Sequence, residues 1–329
     1  MTIFTAAPPR LVRPARAALI SFLLLFPISL FAQDDSDIEV VRVRTDLVTV
    51  PAFVTDGRGR RVKDLAAADF ELRDNNQAVR IEYFAAGTER VALLFALDAS
   101  GSTREIISQQ RETALALFSR FGRASQVAVV RFDEESELAA QFSGSSDAAL
   151  KAFELPPLRN RRTAIFDAVA DSLRAFAARR ADATERRIII LISDGLDTVS
   201  RARPREVITA ARELGVSIYA IQIPLYAPQD GRLEPRPAAK GFRELAEETG
   251  GRYFMAGDRR AALAAQSAYD LAPIFQAIEE DLQGQYVLGY YQGEATQAGG
   301  SHRLTLKLIS KDKSRLRVRL LREAYNIKQ

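Results

Sequence analysis

The sequence predicts an α/β fold in which a doubly wound, mostly parallel sheet is inserted in, or flanked by, an antiparallel β-sandwich. Between residues 89 and 283, short apolar runs alternate with segments of helical periodicity, which is typical of parallel strands covered by helices on both faces. On either side, residues 34–88 and 284–329 alternate polar with apolar positions, which favours antiparallel strands. We expect these two flanking segments to pair with each other.

An export signal is predicted at the N-terminus, residues 1–33. Arginines precede an apolar stretch at residues 17–32 and acidic residues follow it, which is the order found in secretory signals. The apolar stretch contains Pro27 and is short for a helix that spans a membrane. We therefore expect cleavage near Ala32, a periplasmic or extracellular location and no membrane span after cleavage. A retained N-terminal anchor is the alternative.

The flanking β segments are too small to form separate cores. Residues 38–84 contain alternating runs divided by Asp-Gly and Asp-Asn-Asn turns. A segment of this length buries a poor core alone, so another segment should complete its sheet. Residues 285–291, 303–309 and 315–321 return to alternating strands, and we infer that they join the first segment in one sandwich. Two separate small sheets are the alternative.

The central segment contains the elements of a complete doubly wound domain. Strands are predicted at residues 91–97, 126–132, 187–193, 216–223 and 252–255, with a short hairpin partner at 136–142. Helices are predicted at residues 104–121, 164–179, 204–214, 241–251 and 270–282. Residues 224–240 are rich in proline, glycine and arginine and are predicted to form a long loop.

The composition excludes several classes of site. The 329 residues include no cysteine and one histidine, which excludes disulfides, thiolate zinc sites, thiol nucleophiles and His-rich metal sites. The net charge of +4 is small for this length. Since no basic stripe interleaved with aromatic residues accompanies it, nucleic acid is not an expected partner. The histidine, His302, follows Gly-Gly-Ser and is predicted to be a surface loop residue.

Oxygen-bearing side chains follow two of the predicted central strands, and another precedes a helix. They are Asp98, Ser100, Ser102, Thr163 and Asp194. Because parallel strands end at one sheet edge, where such folds bind ligands, we expect these side chains to converge. Hydroxyls and carboxylates suit small hard cations, which predicts a Mg²⁺ site, with Mn²⁺ or Ca²⁺ as other candidates. The first three residues alone could equally cap the following helix.

The segment from about Arg90 to Leu282 resembles a von Willebrand factor type A domain. Three motifs match the loops of the metal-ion-dependent adhesion site of that family: Asp98-x-Ser100-x-Ser102, Thr163 before Ala164-Ile-Phe-Asp167, and Ile190-Leu-Ile-Ser-Asp194-Gly195. The flanks resemble a subgroup of exported proteins described for acidobacteria. The matching flank segments are Val62-x-Asp64-Leu65 to Asp69-Phe70 and Gln285-Tyr-Val-Leu-Gly-Tyr290.

The resemblance implies a role for each candidate residue. Ser100 and Ser102 would bind the metal ion directly through their hydroxyls, and Thr163 would join them when a ligand is bound. Asp98 and Asp194 would act largely through bound waters. An open coordination position would then accept an acidic side chain of a partner.

The loop that contains Thr163 departs from the family pattern. The family commonly has glycines there, where this chain has Arg161 and Arg162. The lost glycines put the backbone conformation of the loop in question. We expect the two charges to lower the affinity for a cation and to attract an anionic partner.

These observations favour a non-enzymatic binding module that holds a protein or peptide partner through a Mg²⁺-bridged carboxylate. A metal-dependent phosphoester hydrolase is an alternative, because carboxylates at a sheet edge can hold Mg²⁺ for phosphoryl transfer. No histidine, cysteine or lysine accompanies the three loops, and the acidic turn at residues 133–135 is the candidate base. A structural envelope protein whose metal site does not exchange ligands is a further alternative. The sequence does not predict the oligomeric state.

Overall fold

A computed structural model of the chain describes residues 47–87, 90–101, 103–155, 162–179, 182, 185–257, 269–291, 300–309, 315–321 and 323–327. These residues belong to one compact unit. The predicted signal peptide, Ser102 and Arg161 lie outside the described residues.

The elements follow the order of a β segment, an α/β region and a second β segment. The first segment contains a 3-10 turn at Ala67–Asp69 and the strands β1 (Leu47–Thr55), β2 (Phe70–Asp74), β3 (Gln77–Val79) and β4 (Tyr83–Ala86). The strands of the α/β region are β5 (Val91–Asp98), β6 (Gln126–Phe132), β7 (Ser136–Ser143), β8 (Arg186–Ser193), β9 (Val216–Gln222), β10 (Tyr226–Gln229), β11 (Arg232–Pro235) and β12 (Tyr253–Met255). Its helices are α1 (Arg104–Gln109), α2 (Arg111–Ser119), α3 (Asp147–Ala152), α4 (Ile165–Ala177), α5 (Pro204–Glu213), α6 (Phe242–Glu247) and α7 (Ala272–Gln283). The last segment contains β13 (Gln285–Tyr291), β14 (Gly300–Leu308), β15 (Arg317–Leu320) and β16 (Ala324–Ile327).

The central sheet has the strand order β12-β9-β8-β5-β6-β7. Neighbouring strands are parallel except β7, which pairs antiparallel with β6. Along β5, Leu93 and Phe95 face the core beneath α1, α2, α3 and α7, while Ala92 and Leu94 face the core beneath α4, α5 and α6. Burial on both faces explains why this strand is an unbroken apolar run.

Two antiparallel sheets combine strands from both ends of the described chain. One has the order β15-β1-β13-β4 and the other the order β16-β14-β2-β3. Their inner faces share one hydrophobic core, in which Val50 and Tyr286 of the first sheet meet Leu72 and Leu304 of the second. The predicted fold class is therefore confirmed. The division into domains at residues 34–88, 89–283 and 284–329 stays a prediction.

Two local predictions were wrong. Residues 224–240 contain the antiparallel hairpin β10–β11, whose turn residues Asp230 and Gly231 have φ values of 48° and 75°. An Asp-Gly pair suits this turn, but prolines in both strands concealed the pattern, because proline is rare inside strands. The helix predicted at 104–121 is divided at Gln110, whose side chain hydrogen-bonds to the backbone just before α7.

His302 is buried, so its prediction as a surface loop residue was also wrong. It lies on β14 with 4% of its surface exposed, and its Nδ1 is 2.9 Å from Oδ2 of Asp74 on β2. Its ring stacks on Tyr325, with 4.7 Å between ring centroids. Tyr290 and Tyr325 donate their hydroxyls to the same carboxylate at 2.6 and 2.9 Å. This buried cluster links β2 with β13, β14 and β16.

Candidate metal centre

The candidate site lies at the carboxyl edge of the central sheet, between β5 and β8. These strands are parallel neighbours, with Leu97 opposite Ile192. The strand that follows β5 in the chain is β6, which lies on the side of β5 away from β8. The strand that follows β8 is β9, which lies on the side of β8 away from β5, so the two connections run in opposite directions across the sheet. Open parallel sheets bind ligands at such a switch point. The fold therefore places Asp98 and Asp194 where a ligand is expected.

Asp98 is a buried carboxylate at the end of β5. Its exposed fraction is 0%, and it accepts hydrogen bonds from the Ser100 N–H (2.9 Å) and the Ser193 hydroxyl (2.5 Å). Burial raises the pKa of Asp98 from 3.8 to about 6, against the lowering effect of the bonds from Ser100 and Ser193, and the charge of Asp194 raises it further. No positive charge is among the main influences on this pKa. A cation at this place would relieve the cost of the buried negative charge.

Thr163 is held in place by the loop that follows β8. Its N–H donates to Oγ1 of Thr198 at 2.8 Å, and its carbonyl accepts from the Thr198 N–H at 2.8 Å. On the other side, the N–H of Ala164 donates to the carbonyl of Asp133 at 2.8 Å. Hydrogen bonds to two neighbouring loops thus fix the backbone of this segment, although the glycines expected in the loop before Thr163 are absent. The Thr163 residue is 3% exposed.

Asp194 begins the loop after β8 and is 5% exposed. Its Oδ1 accepts from the Leu196 N–H at 2.8 Å, and its carbonyl accepts from the Gln222 side chain at 3.0 Å. Gly195 has a φ of +82°, and a Cβ there would lie 2.9 Å from the Cβ of Ala238. The backbone of this tight loop therefore requires glycine at position 195.

The predicted residues meet at one cleft of about 750 Å³. Ser100, Thr163 and Asp194 line it, and Asp98 lies beneath Ser100, to whose N–H it is bonded. The structure thus brings four of the predicted site residues together. Ser102 belongs to the same predicted set but is outside the described residues.

Three further polar residues line the cleft, and the sequence interpretation had missed them: Asp197, Thr198 and Arg236. Oδ1 of Asp197 accepts from the Ile165 N–H at 2.8 Å, at the first turn of α4. Asp197 could have been found, because it follows Asp194-Gly-Leu as a second carboxylate in the same loop. Arg236 could not, because it comes directly after the hairpin that was predicted to be a loop.

The donor set fits a small hard cation. It comprises the carboxylates of Asp98 and Asp194 and the hydroxyls of Ser100 and Thr163, and Mg²⁺ prefers such oxygen ligands. Among the described residues, no three His, Cys, Asp or Glu side chains are grouped as a metal site. This site differs in kind, because half of its side chains offer neutral hydroxyls. A bound divalent ion would therefore keep part of its charge for a further ligand.

The charge of Arg162 is shared with an acidic residue. Its Nη2 lies 2.6 Å from Oε1 of Glu134, and both side chains are partly exposed. The neighbouring Asp133 accepts from the Glu135 N–H at 3.1 Å through its side chain. Because Glu134 offsets its charge, we expect Arg162 to weaken cation binding less than an unpaired arginine would. The carboxylates of Asp133 and Glu134 in the acidic turn are therefore engaged in contacts within the loops.

In metal-free protein, Asp98→Asn is expected to change how stability depends on pH. Because the folded pKa of Asp98 is about 6 against an ordinary 3.8, Asp98 destabilises the fold increasingly as pH rises from 4 to 6. The loss amounts to at most about 3 kcal/mol and stays constant above this window. Denaturant unfolding in chelator should show the variant gaining stability relative to wild type across the window. A difference that is constant from pH 4 to 7 would contradict this.

A family model for the von Willebrand factor type A domain matches residues 92–268, which is more than half of the chain. No match was found among curated proteins. Several solved structures are similar. An aerotolerance-related membrane protein from Bacteroides fragilis NCTC 9343 is 19% identical, with a TM-score of 0.40 over 58% of this chain and 98% of that one.

BatB, a conserved hypothetical protein from Bacteroides thetaiotaomicron, is also 19% identical, with a TM-score of 0.39 over 58% of this chain and 97% of that one. Proximal thread matrix protein 1 from the mussel byssus is 18% identical. Its structure was solved with zinc in the metal-ion-dependent adhesion site (MIDAS) motif. Its TM-score is 0.46 over 64% of this chain and 50% of that one. Likenesses of this size say nothing about the function of this chain.

Proposed function

This chain belongs to the von Willebrand factor type A domain family, and we propose that it is an exported, non-enzymatic binding module that holds an acidic group of a protein partner through a Mg²⁺ ion. Domains of this family are in general protein-interaction or adhesion modules. Membership of the family supports a role in protein interaction or adhesion.

The observation that carries the proposal is the meeting of Ser100, Thr163 and Asp194 at one cleft above the buried carboxylate of Asp98. Ser100, Ser102 and Thr163 would hold the ion through hydroxyls, and Asp98 and Asp194 through waters. When bound, Mg²⁺ supplies a hard positive centre whose water ligands can be exchanged. Since neutral hydroxyls leave much of its charge uncompensated, an incoming carboxylate of a partner gains a strong electrostatic interaction.

The residues at the cleft support binding more than catalysis. The described side chains that line it include no histidine, cysteine or lysine that could act as an acid or a nucleophile. The nearby acidic turn is engaged in structure through Asp133 and Glu134. A metal-bridged contact that needs no proton transfer requires none of these groups.

Export rests on the basic, apolar and acidic order of residues 1–37. The helices of the described ranges include none that is both long and apolar enough to cross a bilayer. We propose a periplasmic or extracellular location, which a fractionation of cells that express the full chain would test.

Thr163→Ala is expected to weaken partner binding at least about tenfold while the free protein still binds Mg²⁺, since the threonine joins the ion only in the ligand-bound state. The measurement is crosslinking of the full chain in its native envelope, with Mg²⁺ or with chelator, followed by identification of the captured protein. Thr209→Ala, at an exposed position on α5, is the matched control.

Capture of the same partner with equal yield in chelator would contradict the proposal and favour a structural envelope protein with a metal site that does not exchange ligands. Capture that is equal for wild type and Thr163→Ala would also contradict it. Turnover of phosphoester substrates that requires Mg²⁺ and Asp98 would instead establish a hydrolase.

A further inference from the structure

A second cleft, of about 570 Å³, lies at the opposite edge of the central sheet from the candidate metal centre. One wall is the edge strand β4 of the sandwich. The other wall carries Arg90 and Arg123, which precede β5 and β6, and Arg186, which begins β8. Because the length of β8 separates Arg186 from Asp194, the two clefts are about 25 Å apart.

Two nitrogens of the buried Arg186 guanidinium have no partner among the described residues. The residue is 7% exposed, and the two nitrogens are Nε and Nη2. Burial lowers the pKa of its guanidinium to about 10, against a raising effect of Tyr219 and Tyr83. Buried charges in proteins are normally paired, because burial removes their hydration without replacement. Pairing with an anion would therefore offset the energetic cost of burying the guanidinium of Arg186.

Arg61 shows which anion such a guanidinium accepts in this protein. Its Nε and Nη2, the same two nitrogens, donate to Oδ1 and Oδ2 of Asp281 at 2.7 and 2.9 Å. These two nitrogens form one edge of the planar group and match two oxygens of one carboxylate or phosphate. Arg179, which like Arg61 is partly buried, is also paired with a carboxylate, that of Glu185, at 2.8 and 2.9 Å.

Among the described residues that line the cleft, none carries a negative charge that could balance Arg186. Arg90 is engaged by Asp182 at 2.5 Å and by the Ala124 carbonyl at 3.2 Å. Arg123 is exposed, and no described carboxylate pairs with it. Two positive charges, those of Arg123 and Arg186, thus have no carboxylate partner in the described part of the chain.

We propose that this second cleft binds a compact oxyanion, a carboxylate or a phosphate, through the guanidinium of Arg186 with support from Arg123. The oxyanion lies between β4 of the sandwich and the amino edge of the central sheet, and it contacts both. Its binding is independent of the metal centre, since none of the residues that hold the ion lines this cleft.

Calorimetric titration of the full chain with inorganic phosphate, and separately with succinate, at an ionic strength fixed with sodium chloride, tests this proposal. Saturable binding of either anion is expected, and the stronger one identifies whether phosphate or carboxylate is the ligand. Arg186→Gln should bind about tenfold more weakly or worse, because it loses charge-assisted hydrogen bonds. Arg123→Gln should bind several-fold more weakly.

Arg187→Gln is the matched control, since Arg187 is the next residue on β8, donates to the Leu214 carbonyl at 3.4 Å and does not line the cleft. Its affinity should equal that of wild type, as should the affinity of Asp98→Ala. Absence of saturable binding of both anions to wild type would overturn the proposal. So would equal affinity in Arg186→Gln, or, if that variant does not fold, equal affinity in Arg123→Gln.

Discussion

Asp74→Ala is expected to lower the free energy of unfolding by about 3–5 kcal/mol, because each buried polar group that is left unsatisfied costs about 1–3 kcal/mol. The carboxylate is 1% exposed and accepts from His302 Nδ1 at 2.9 Å, from the Tyr290 hydroxyl at 2.6 Å and from the Tyr325 hydroxyl at 2.9 Å. Its removal leaves three buried polar groups without their common acceptor.

The position of Asp74 in the sandwich makes the effect large. Asp74 and His302 belong to one sheet, whereas Tyr290 lies on β13 of the facing sheet, so the cluster ties the two sheets together. It also ties the first β segment to the last. Loss of the cluster should therefore reduce the cooperative stability of the sandwich as a whole.

Denaturant unfolding, followed by circular dichroism, measures the effect. Glu71→Ala is the matched control, because Glu71 lies on the same strand and forms a partly exposed ion pair with Arg73. That pair should contribute less than about 1 kcal/mol. A loss below about 1 kcal/mol for Asp74→Ala would show that the cluster does not stabilise the sandwich.

Asp98→Ala is expected to remove most of the stabilisation that Mg²⁺ gives to the folded protein. At a concentration of 100 times its dissociation constant, an ion that binds only the folded state stabilises it by about 2.7 kcal/mol. Substitution of a residue that supports a metal ion through its ligands weakens metal binding by up to about 100-fold. With that loss, the stabilisation by the same concentration of Mg²⁺ falls to about 0.4 kcal/mol.

Thermal unfolding with and without Mg²⁺ measures this difference, so that any effect of the substitution on the metal-free fold cancels. Asp133→Ala is the control, since Asp133 follows the neighbouring strand β6 and does not line the cleft. It should keep the full response. An equal Mg²⁺ response in wild type and Asp98→Ala would exclude Asp98 from the site.

The fold class, and with it the meeting of Asp98 and Asp194 at one sheet edge, could be predicted because the strands and helices show their local periodicity. The apolar run of β5 indicates burial on both faces, and the alternation of β2 indicates burial on one face. Parallel strands bring their carboxyl ends together. Asp98 and Asp194 therefore met at one edge as expected. Asp197 could have been found as a second carboxylate in the same loop, but its bond to the first turn of α4 depends on the tertiary arrangement.

His302 and Arg186 could not be predicted, because their burial results from contacts distant in sequence. His302 follows two glycines and a serine, which locally favour a turn, yet pairing of β14 with β2 and β16 buries its ring. Arg186 begins an apolar strand, where a charged residue is usually exposed. The sandwich sheet that contains β4 forms the facing wall of its cleft. The local sequence pattern therefore does not predict the burial of either residue.

Calorimetric titration of Mg²⁺ into chelator-treated wild type, with Asp98→Ala in parallel, tests the metal centre most directly. We expect one saturable binding event in wild type and a large loss of affinity in the variant, because the buried carboxylate of Asp98 supports the ion at the cleft. No heat of binding in wild type, or the same heat in Asp98→Ala, would contradict the proposed metal-dependent function.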